Sequence, residues 1–491
     1  MEFSAQLSER YDAAPRSTEE LSCARPLTVI SNRAPYQLKR QAGRATRQRN
    51  VGGLVSVLDG MMRRSGGTWI AWGDGEEVPV AVGVPPDDPK YSLRLVALTE
   101  QEVQHYYHGF ANRILWPLAH YSLDRCHFRA EYWRAYQAVS DKFAQAFRDS
   151  LENHCMVWVH DYHLTLLPAL LRKQKPDLAI GFFWHIPFPA SPVFRVLPWR
   201  EEVLRSLLGS DLIGFHLSLH AENFLQSVED VMHLPIDRDN RAVRYEGRWV
   251  QTGVFPVGID YRGWHDLASR PSTQERARQI RKEIGAEHIV LGVDRLDYTK
   301  GIIERLAAYE RFLEQNPDFR GRVSLVQIAV PSRTGVDEYR ALRRQIDESV
   351  GRITGRFSFG GWIPLRYLYR ALTPEALAAY YGAADVALVT PLRDGMNLVA
   401  KEYVASRISE DGALILSEFA GAAKTLTDAI IVNPFDIEKM ADCIRMSLVM
   451  PEAEKRVRMH GLQQRVRERD IHWWCDSFVG SLGRISRAPV G

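Results

Sequence analysis

Two basic side chains share one short loop in the second half of the sequence. Arg295 and Lys300 occur in the run GVDRLDYTKGI (292–302), between an apolar segment and a stretch with helical periodicity. A guanidinium offers a fork of donors to phosphate oxygens and an ammonium offers a compact charge, so the pair could stabilise a departing diphosphate. A surface loop in which these cations pair with Asp294 and Asp297 explains the loop equally well when it is considered alone.

The segment DGMNLVAKE (394–402) is a second candidate phosphate-binding element. It follows an apolar run directly and leads into a helical pattern. The first N–H groups of a helix are unpaired and carry partial positive charge, which suits a diphosphate. Gly395 would let the backbone approach that group closely, and Glu402 could accept hydrogen bonds from ribose hydroxyls. Every doubly wound domain contains several such turns, so this segment alone is weak evidence.

Histidines end two apolar runs in the first half of the sequence, in HDYH (160–163) and WHIPFP (184–189). The first motif could suggest metal ligands, but no third carboxylate–histidine cluster stands at a suitable spacing. We therefore predict no metal site. A histidine at a strand end is more often structural, and His185 is the one that this explanation fits least.

These motifs must be positioned by the elements around them. From about residue 26 onward, short apolar runs alternate with amphipathic stretches, a pattern typical of parallel sheets covered by helices on both faces. Two such series predict an α/β fold with two Rossmann-like, doubly wound domains facing across a cleft, with ligands at the carboxyl ends of the strands. The predicted strands are 27–32, 156–161, 180–187, 211–216, 253–259, 288–293, 323–330, 357–363, 385–391, 413–418 and 429–434. The predicted helices are 131–153, 163–174, 199–209, 301–315, 336–350 and 436–449.

The predicted organisation has four parts: a disordered extension (1–25), a first domain (26–262), a second domain (263–466) and a final segment (467–491). The boundary is placed where the apolar content falls, near residues 260–280. The stretch 37–50 contains only basic charges, which predicts either a solvated flexible loop or a mobile lid that collects an anionic substrate.

Composition excludes several classes of protein. The 491 residues carry a net charge of +3, so no strong field favours nucleic acid or a membrane surface. No apolar run approaches the ~18 residues that span a bilayer, and residues 1–25 do not resemble a signal peptide. Five scattered cysteines suit a reducing compartment. We predict a cytoplasmic protein.

The combination of motifs is more specific than any one of them. In order they are SNR (31–33), GG (52–53), LWP with HY (115–121), HDYH, HIPFP, RLDYTKG, PSR (331–333) and TPLRDGMNLVAKEY (390–403). Over roughly residues 26–485 the chain closely resembles glycosyltransferase family 20, the trehalose-6-phosphate synthases. The resemblance implies the GT-B architecture of two Rossmann-like domains, with a last helix (471–482) that crosses back to the first domain.

The resemblance also implies an activity. It predicts a retaining transfer of glucose from a nucleotide-glucose, expected to be UDP-glucose, to glucose 6-phosphate, which forms trehalose 6-phosphate. Both partners are small-molecule substrates, no cofactor is expected, and a homo-oligomer is left open. Because the motifs offer no pair of carboxyl groups suited to a covalent intermediate, we favour a front-face displacement in which the leaving diphosphate accepts the proton of the incoming hydroxyl.

Residue roles carry over from the family to the matching positions. The catalytic residues are Asp161, His185, Arg295 and Lys300. The acceptor-binding residues are Arg33, Trp72, Tyr107, Trp116, Asp161 and Arg333, of which Arg33 and Arg333 make independent sense as a phosphate clamp from both domains. The donor-binding residues are Gly52, Gly53, Arg295, Lys300, Phe357, Asp394, Gly395, Met396, Asn397, Leu398, Val399, Ala400, Lys401 and Glu402.

Two stretches depart from the family pattern, residues 34–36 and 69–77. Both lie on the acceptor side, so a glucosylglycerol-phosphate synthase that uses glycerol 3-phosphate remains an alternative. A regulatory relative that binds sugar phosphates without turnover is another. Intact Arg295, Lys300 and Glu402, together with Asp161, argue against the second alternative.

Overall fold

A computed structural model describes residues 26–41, 44–49, 53–73, 81–85, 87–150, 155–332 and 337–486. The predicted extension at 1–25 lies outside these residues. Within them the strands are β1 Leu27–Arg33, β2 Tyr36–Gln41, β3 Arg44–Arg49, β4 Thr68–Gly73, β5 Val82–Val84, β6 Tyr91–Ala97, β7 Met156–His160, β8 Ala179–Phe183, β9 Leu212–Phe215, β10 Ile236–Asp237, β11 Ala242–Tyr245, β12 Arg248–Val254, β13 His288–Arg295, β14 Val323–Val330, β15 Leu365–Leu368, β16 Val386–Val389, β17 Ala413–Ser417 and β18 Ile430–Val432.

The helices follow the strands in the manner of doubly wound domains. They are α1 Gly53–Ser65, α2 Glu100–Glu102, α3 Trp116–Ala119, α4 Ala130–Arg148, α5 Leu167–Gln174, α6 Ser191–Phe194, α7 Arg200–Leu207, α8 Ser218–Met232, α9 Tyr261–Ser269, α10 Pro271–Ile284, α11 Ile302–Gln315, α12 Asp337–Phe357, α13 Pro374–Ala383, α14 Leu398–Ser406, α15 Ile437–Val449, α16 Glu452–Glu468 and α17 Ile471–Ile485. A π-helix, Val103–Leu115, joins α2 to α3.

The first sheet has ten strands in the order β10-β11-β12-β9-β8-β7-β1-β4-β6-β5. Its central strands are parallel. The antiparallel pairs lie toward the two edges, where β10 pairs with β11, β11 with β12 and β5 with β6. β7 and β8 are buried along their whole length because helices cover both faces, which explains their unbroken apolar sequences. Chain order reverses between β1 and β7, so this sheet has its topological switch point there.

The second sheet has six parallel strands in the order β15-β14-β13-β16-β17-β18. Counted from β13, this is the 3-2-1-4-5-6 order of a Rossmann domain. Its switch point lies between β13 and β16, which pair in parallel. The predicted α/β class with two doubly wound domains is therefore confirmed.

Three local predictions are wrong. The segment 357–363 is the end of α12 and a turn in which Gly360 and Gly361 have positive φ, so the strand starts later, at Leu365. Residues 255–259 follow β12 without strand structure. The basic stretch 37–50, predicted as a solvated flexible loop or a mobile lid, forms in its described part an antiparallel hairpin of β2 with β3 in place of a loop, and the lid stays a prediction.

Two connections join the domains. Residues 255–260 link β12 to α9, so the boundary predicted after residue 262 falls inside α9. At the other end of the chain, α17 packs on β8 and β9. There the ring of Phe478 stacks on Trp158 with centroids 4.6 Å apart, and glycines at positions 181 and 214 leave room for it. The four-part division itself stays a prediction.

Candidate active site

The two switch points carry most of the predicted site residues. Arg33 ends β1 and Asp161 follows β7. Arg295 ends β13 and Asp394 follows β16. The two carboxyl edges meet, because a Cβ atom placed on Gly395 would lie 2.3 Å from the carbonyl oxygen of His185. The structure thus forms one cleft from two loops of each domain.

A cluster of aromatic rings surrounds Arg33 on the first domain. Its Nη2 atom donates a hydrogen bond to the hydroxyl of Tyr107 at 2.9 Å. The guanidinium also lies over the rings of Trp72 and Tyr107, at 5.2 and 4.9 Å from their centroids. Tyr107 in turn stacks on His163 at 5.7 Å. Three of the predicted acceptor residues are therefore in contact.

Asp161 has a strained backbone. Its φ of 73° and ψ of 165° fall in a region that almost only glycine occupies, at a cost of ~1–3 kcal/mol. The carboxylate accepts hydrogen bonds from the backbone N–H groups of Tyr162 and His185 at 2.9 and 3.3 Å. These bonds hold Asp161 against the strand end that carries His185.

Three imidazoles lie together behind the cleft, with His160 and His216 buried and His185 half-buried. Nε2 of His185 lies 3.0 Å from Nδ1 of His160, and the His185 and His216 ring centroids are 5.3 Å apart. Burial lowers the pKa of His160 and of His216 to about 3. Burial also lowers the pKa of His185 well below its usual value, and the neighbouring imidazoles add to this effect. All three are neutral near pH 7, so His185 can exchange hydrogen bonds but cannot supply a positive charge.

Lys300 and Asp394 form an ion pair at the second switch point. The Lys300 Nζ atom lies 2.5 Å from Asp394 Oδ2, and Asn397 donates to the same oxygen at 3.1 Å. Burial alone would raise the pKa of Asp394, but the Lys300 charge outweighs it and the pKa is lowered. The Asp394 carboxylate is therefore ionised, and it holds the buried Lys300 side chain in place.

The alternative of a surface salt-bridge loop is excluded. Asp294 pairs instead with the buried Arg305. Asp297 accepts hydrogen bonds from the Thr299 hydroxyl at 3.0 Å and from a tyrosine on α12. Arg295 reaches into the cleft, where its guanidinium lies 5.5 Å from the ring centroid of the buried Trp116.

The turn before α14 presents helix N–H groups to the cleft. Asn397 caps the helix in a positive-φ conformation, and its side chain accepts from Ala400 N at 3.4 Å. Because the first N–H groups of a helix have no intrahelical partner, those of Leu398 and Val399 are available to a ligand. Met396 and Ala400 are buried and can contribute only through the backbone.

Gly395 makes a close contact between the two domains. Its missing side chain makes room for the His185 carbonyl of the facing domain, and its close approach to a diphosphate stays a prediction. The glycine is therefore required for the contact between the two loops.

Lys401 and Glu402 are adjacent but face different surroundings. The buried Lys401 ammonium donates to the Val257 carbonyl at 2.6 Å, so its side chain ties α14 to the interdomain link. Burial lowers its pKa to about 7. Glu402 accepts from the Tyr381 hydroxyl at 3.0 Å, and burial raises its pKa to about 7 against the effect of that bond.

The structure does not bring every predicted residue to the cleft. The ring of Phe357 lies 5.2 Å from the guanidinium of Arg320, which precedes β14, so Phe357 is at the amino edge of the sheet, opposite Arg295. Gly52 and Arg333 lie outside the described residues, and Gly53 begins α1. Sequence reasoning missed His216, whose only signal was its place after β9.

No group of three or more His, Cys, Asp and Glu side chains suited to a metal ion occurs in the described part of the chain. The expectation that no metal is essential stays a prediction. Among the helices that the structure describes, none is long and apolar enough to cross a membrane.

Comparison with known proteins identifies the family. The model of Glycosyltransferase family 20 matches residues 25–484. The chain belongs to this family. Within family 20, a trehalose-6-phosphate synthase of Mycolicibacterium vanbaalenii is 42% identical, over 97% of this chain and 99% of the relative.

Solved structures of the family agree with the fold. A UDP-forming alpha,alpha-trehalose-phosphate synthase from Burkholderia xenovorans, solved in complex with glucose 6-phosphate, has a TM-score of 0.86 at 34% identity and covers 93% of this chain and 99% of that one. A structure from E. coli bound with UDP-2-fluoro glucose has a TM-score of 0.85 at 34% identity, covering 94% and 99%. The predicted GT-B architecture is therefore confirmed.

Proposed function

We propose that this chain is a retaining glucosyltransferase that moves glucose from UDP-glucose to glucose 6-phosphate, forming trehalose 6-phosphate and UDP. The observation that carries the proposal is the meeting of two clusters across the cleft of a family 20 protein. Arg33, Tyr107 and Asp161 stand on one side, and the Lys300–Asp394 pair stands on the other.

The donor is bound by the second domain. Arg295 and Lys300 hold the diphosphate by charge, and the N-terminus of α14 adds backbone donors at Leu398 and Val399. Glu402 accepts hydrogen bonds from the ribose. The Lys300 side chain is positioned before the donor binds, because it already donates a hydrogen bond to Asp394. Such preorganisation removes part of the cost of stabilising a leaving group.

The acceptor is bound mainly by the first domain. Arg33 takes the phosphate of glucose 6-phosphate, and Arg333 is proposed as its partner from the second domain. Trp72 and Tyr107 hold the guanidinium between their faces and give the pyranose an aromatic wall. Trp116, under Arg295, lies where the acceptor and the donor diphosphate meet.

The chemical step follows from the carboxylates in the cleft. Asp161 accepts two backbone hydrogen bonds on Oδ1 and Asp394 is paired with Lys300. We assign neither the role of a nucleophile. The bond from the anomeric carbon to the diphosphate breaks on the same face on which the acceptor oxygen bonds. The leaving diphosphate takes the proton of that hydroxyl, while neutral His185 binds the glucose by hydrogen bonding. Positioning and electrostatic stabilisation supply the catalysis.

The test is UDP release measured with each acceptor in turn. We expect kcat/KM for glucose 6-phosphate to exceed that for glycerol 3-phosphate by at least roughly tenfold, because glycerol leaves the aromatic wall without a ring to pack on. A preference for glycerol 3-phosphate would contradict trehalose 6-phosphate as the product, but it would leave the proposed donor site unchanged. Binding of both substrates without UDP release would identify a regulatory relative. ADP-glucose and GDP-glucose serve as donor controls.

The proposed setting is the cytoplasm. The four described cysteines are free thiols, three of them buried, which suits a reducing compartment. Nucleic acid and membranes are not proposed as partners, since the net charge is only +3 and the site is built for small anions.

A further inference from the structure

A cavity of about 400 Å³ lies at the junction of the two domains. The first domain contributes the segment after α3, and the second contributes the start of α11 and the loops after β16, β17 and β18. None of the residues assigned to the donor or the acceptor lines it. Its walls include Tyr121, Arg125, Tyr298, Arg393, Phe419 and Phe435.

Two arginines, one from each domain, line this cavity, and each contacts an aromatic ring of the opposite domain. Arg125 of the first domain lies over the ring of Tyr298 of the second at 4.6 Å. Arg393 of the second domain lies over the ring of Tyr121 of the first at 4.0 Å. These reciprocal stacks hold the two guanidiniums at the cavity wall.

The charge of these arginines is poorly compensated by protein. Arg125 has one exposed carboxylate, Asp124, at 3.9 Å, and Arg393 forms no ion pair with any other described residue. Arg393 is half-buried, and burial lowers its pKa. The one carboxyl in the wall, Glu304, has a raised pKa because it too is partly buried. An anion would restore the charge balance that the protein leaves open.

We propose that this cavity is a second ligand site, which binds a small molecule bearing a phosphate group between Arg125 and Arg393. The aromatic faces of Phe419 and Phe435, the latter 61% exposed, suit a sugar ring attached to that phosphate. The occupant contacts both domains, so it binds best to the arrangement in which they meet. Thr299 and Arg393 in the wall directly precede Lys300 and Asp394, which places the ligand beside the Lys300–Asp394 ion pair.

The test separates this cavity from the cleft. A background with Arg33→Ala and Arg295→Ala removes one phosphate-binding group from each half of the cleft. Inorganic phosphate and glucose 1-phosphate are each titrated into this double variant, and binding is measured by calorimetry. We expect one saturable site to persist, and Arg125→Gln to weaken it by roughly tenfold or more, since a charged hydrogen bond to phosphate is lost. Arg129→Gln is the matched control, because Arg129 is exposed and lies outside the cavity.

The two probes distinguish the sources of the phosphate. Tighter binding of glucose 1-phosphate indicates a sugar phosphate, and equal binding indicates recognition of the phosphate alone; both support the site. The absence of saturable binding in the background would overturn it, as would binding that neither Arg125→Gln nor Arg393→Gln weakens. Unfolding temperatures confirm that the variants are folded. The result does not depend on turnover, so failure here leaves the proposed function intact.

Discussion

At the scale of single residues, some side chains position the site residues without contacting a substrate themselves. His160 is fully buried, and its Nδ1 atom lies 3.0 Å from Nε2 of His185. Because both imidazoles are neutral, one ring nitrogen donates and the other accepts, and this bond selects the tautomer and orientation of His185. His160 is therefore a positioning residue.

Replacing His160 tests this role. We expect His160→Leu to lower kcat by roughly five- to tenfold, the worth of about one hydrogen bond, with a smaller change in KM. In His160→Asn the side-chain amide stands near the place of Nδ1, and most of kcat should return. If both variants lose activity equally while unfolding at the same temperature, the bond does not position His185.

Glu402 gives the donor site a pH dependence. Its pKa is raised to about 7, so below that pH the carboxyl is mostly protonated and is a weaker acceptor for ribose hydroxyls. The dissociation constant of UDP-glucose should therefore fall as the pH rises from 6 to 8, by up to roughly tenfold. Calorimetric titration across this range measures it, with Glu402→Gln as the control that should respond weakly. An equal slope in the control would assign the effect to another group.

At the scale of elements, the site residues lie at the ends of the strands and in the loops that follow them. Residues at strand ends could be predicted from the sequence: Arg33, Asp161, Arg295 and Asp394 each follow an apolar run, and the ends of parallel strands share one edge. The order of strands within a sheet could not be predicted. It is that order which puts β1 beside β7 and β13 beside β16.

Other placements could not be predicted from the sequence, for physical reasons. The segment 357–363 has the apolar content of a strand, but α12 ends at Phe357 and leaves that ring at the amino edge of the sheet. Lys401 belongs to the predicted donor-binding motif 394–402, but its side chain donates to a backbone carbonyl of the interdomain link. Gly395 meets the backbone of the other domain, a contact between distant parts of the chain that no local pattern reveals.

Gly395 can be tested as a packing element. In Gly395→Ala the new methyl group would lie 2.3 Å from the His185 carbonyl, so one of the two loops must move. We expect a loss of ~1–3 kcal/mol of stability, as for other overpacked sites, together with lower activity. Thermal unfolding and kcat measure the two effects.

Gly351→Ala is the control for this substitution. It lies inside α12 with nothing within 4 Å of the added methyl group, so it should be neutral or slightly stabilising. If Gly395→Ala behaves like this control in both measurements, the contact between the loops is not required.

At the scale of the whole molecule, α17 ties the end of the chain to the first sheet. Phe478 is fully buried, between Trp158 at 4.6 Å and Phe255 at 5.2 Å. Because α17 follows the second domain in sequence but packs on the first sheet, this packing fixes how the two domains face each other, and with them the two halves of the cleft.

Phe478→Ala should therefore destabilise the protein strongly. Removal of a buried phenylalanine ring costs ~3–5 kcal/mol, and we expect a clearly lower unfolding temperature by calorimetry. Val457→Ala, at a side chain that is 74% exposed, should change it little. Similar curves for the two variants would show that α17 does not hold the domains.

The most direct test is identification of the product by proton NMR. With UDP-glucose and glucose 6-phosphate, we expect a disaccharide phosphate whose two anomeric protons both have the small coupling of α-linkages, formed together with UDP. Lys300→Ala should lower kcat by roughly 10²–10³ because the leaving diphosphate loses a preorganised cation. A β-linked product, or UDP release at the same rate in Lys300→Ala, would contradict the proposed mechanism, and no disaccharide at all would contradict the proposed function.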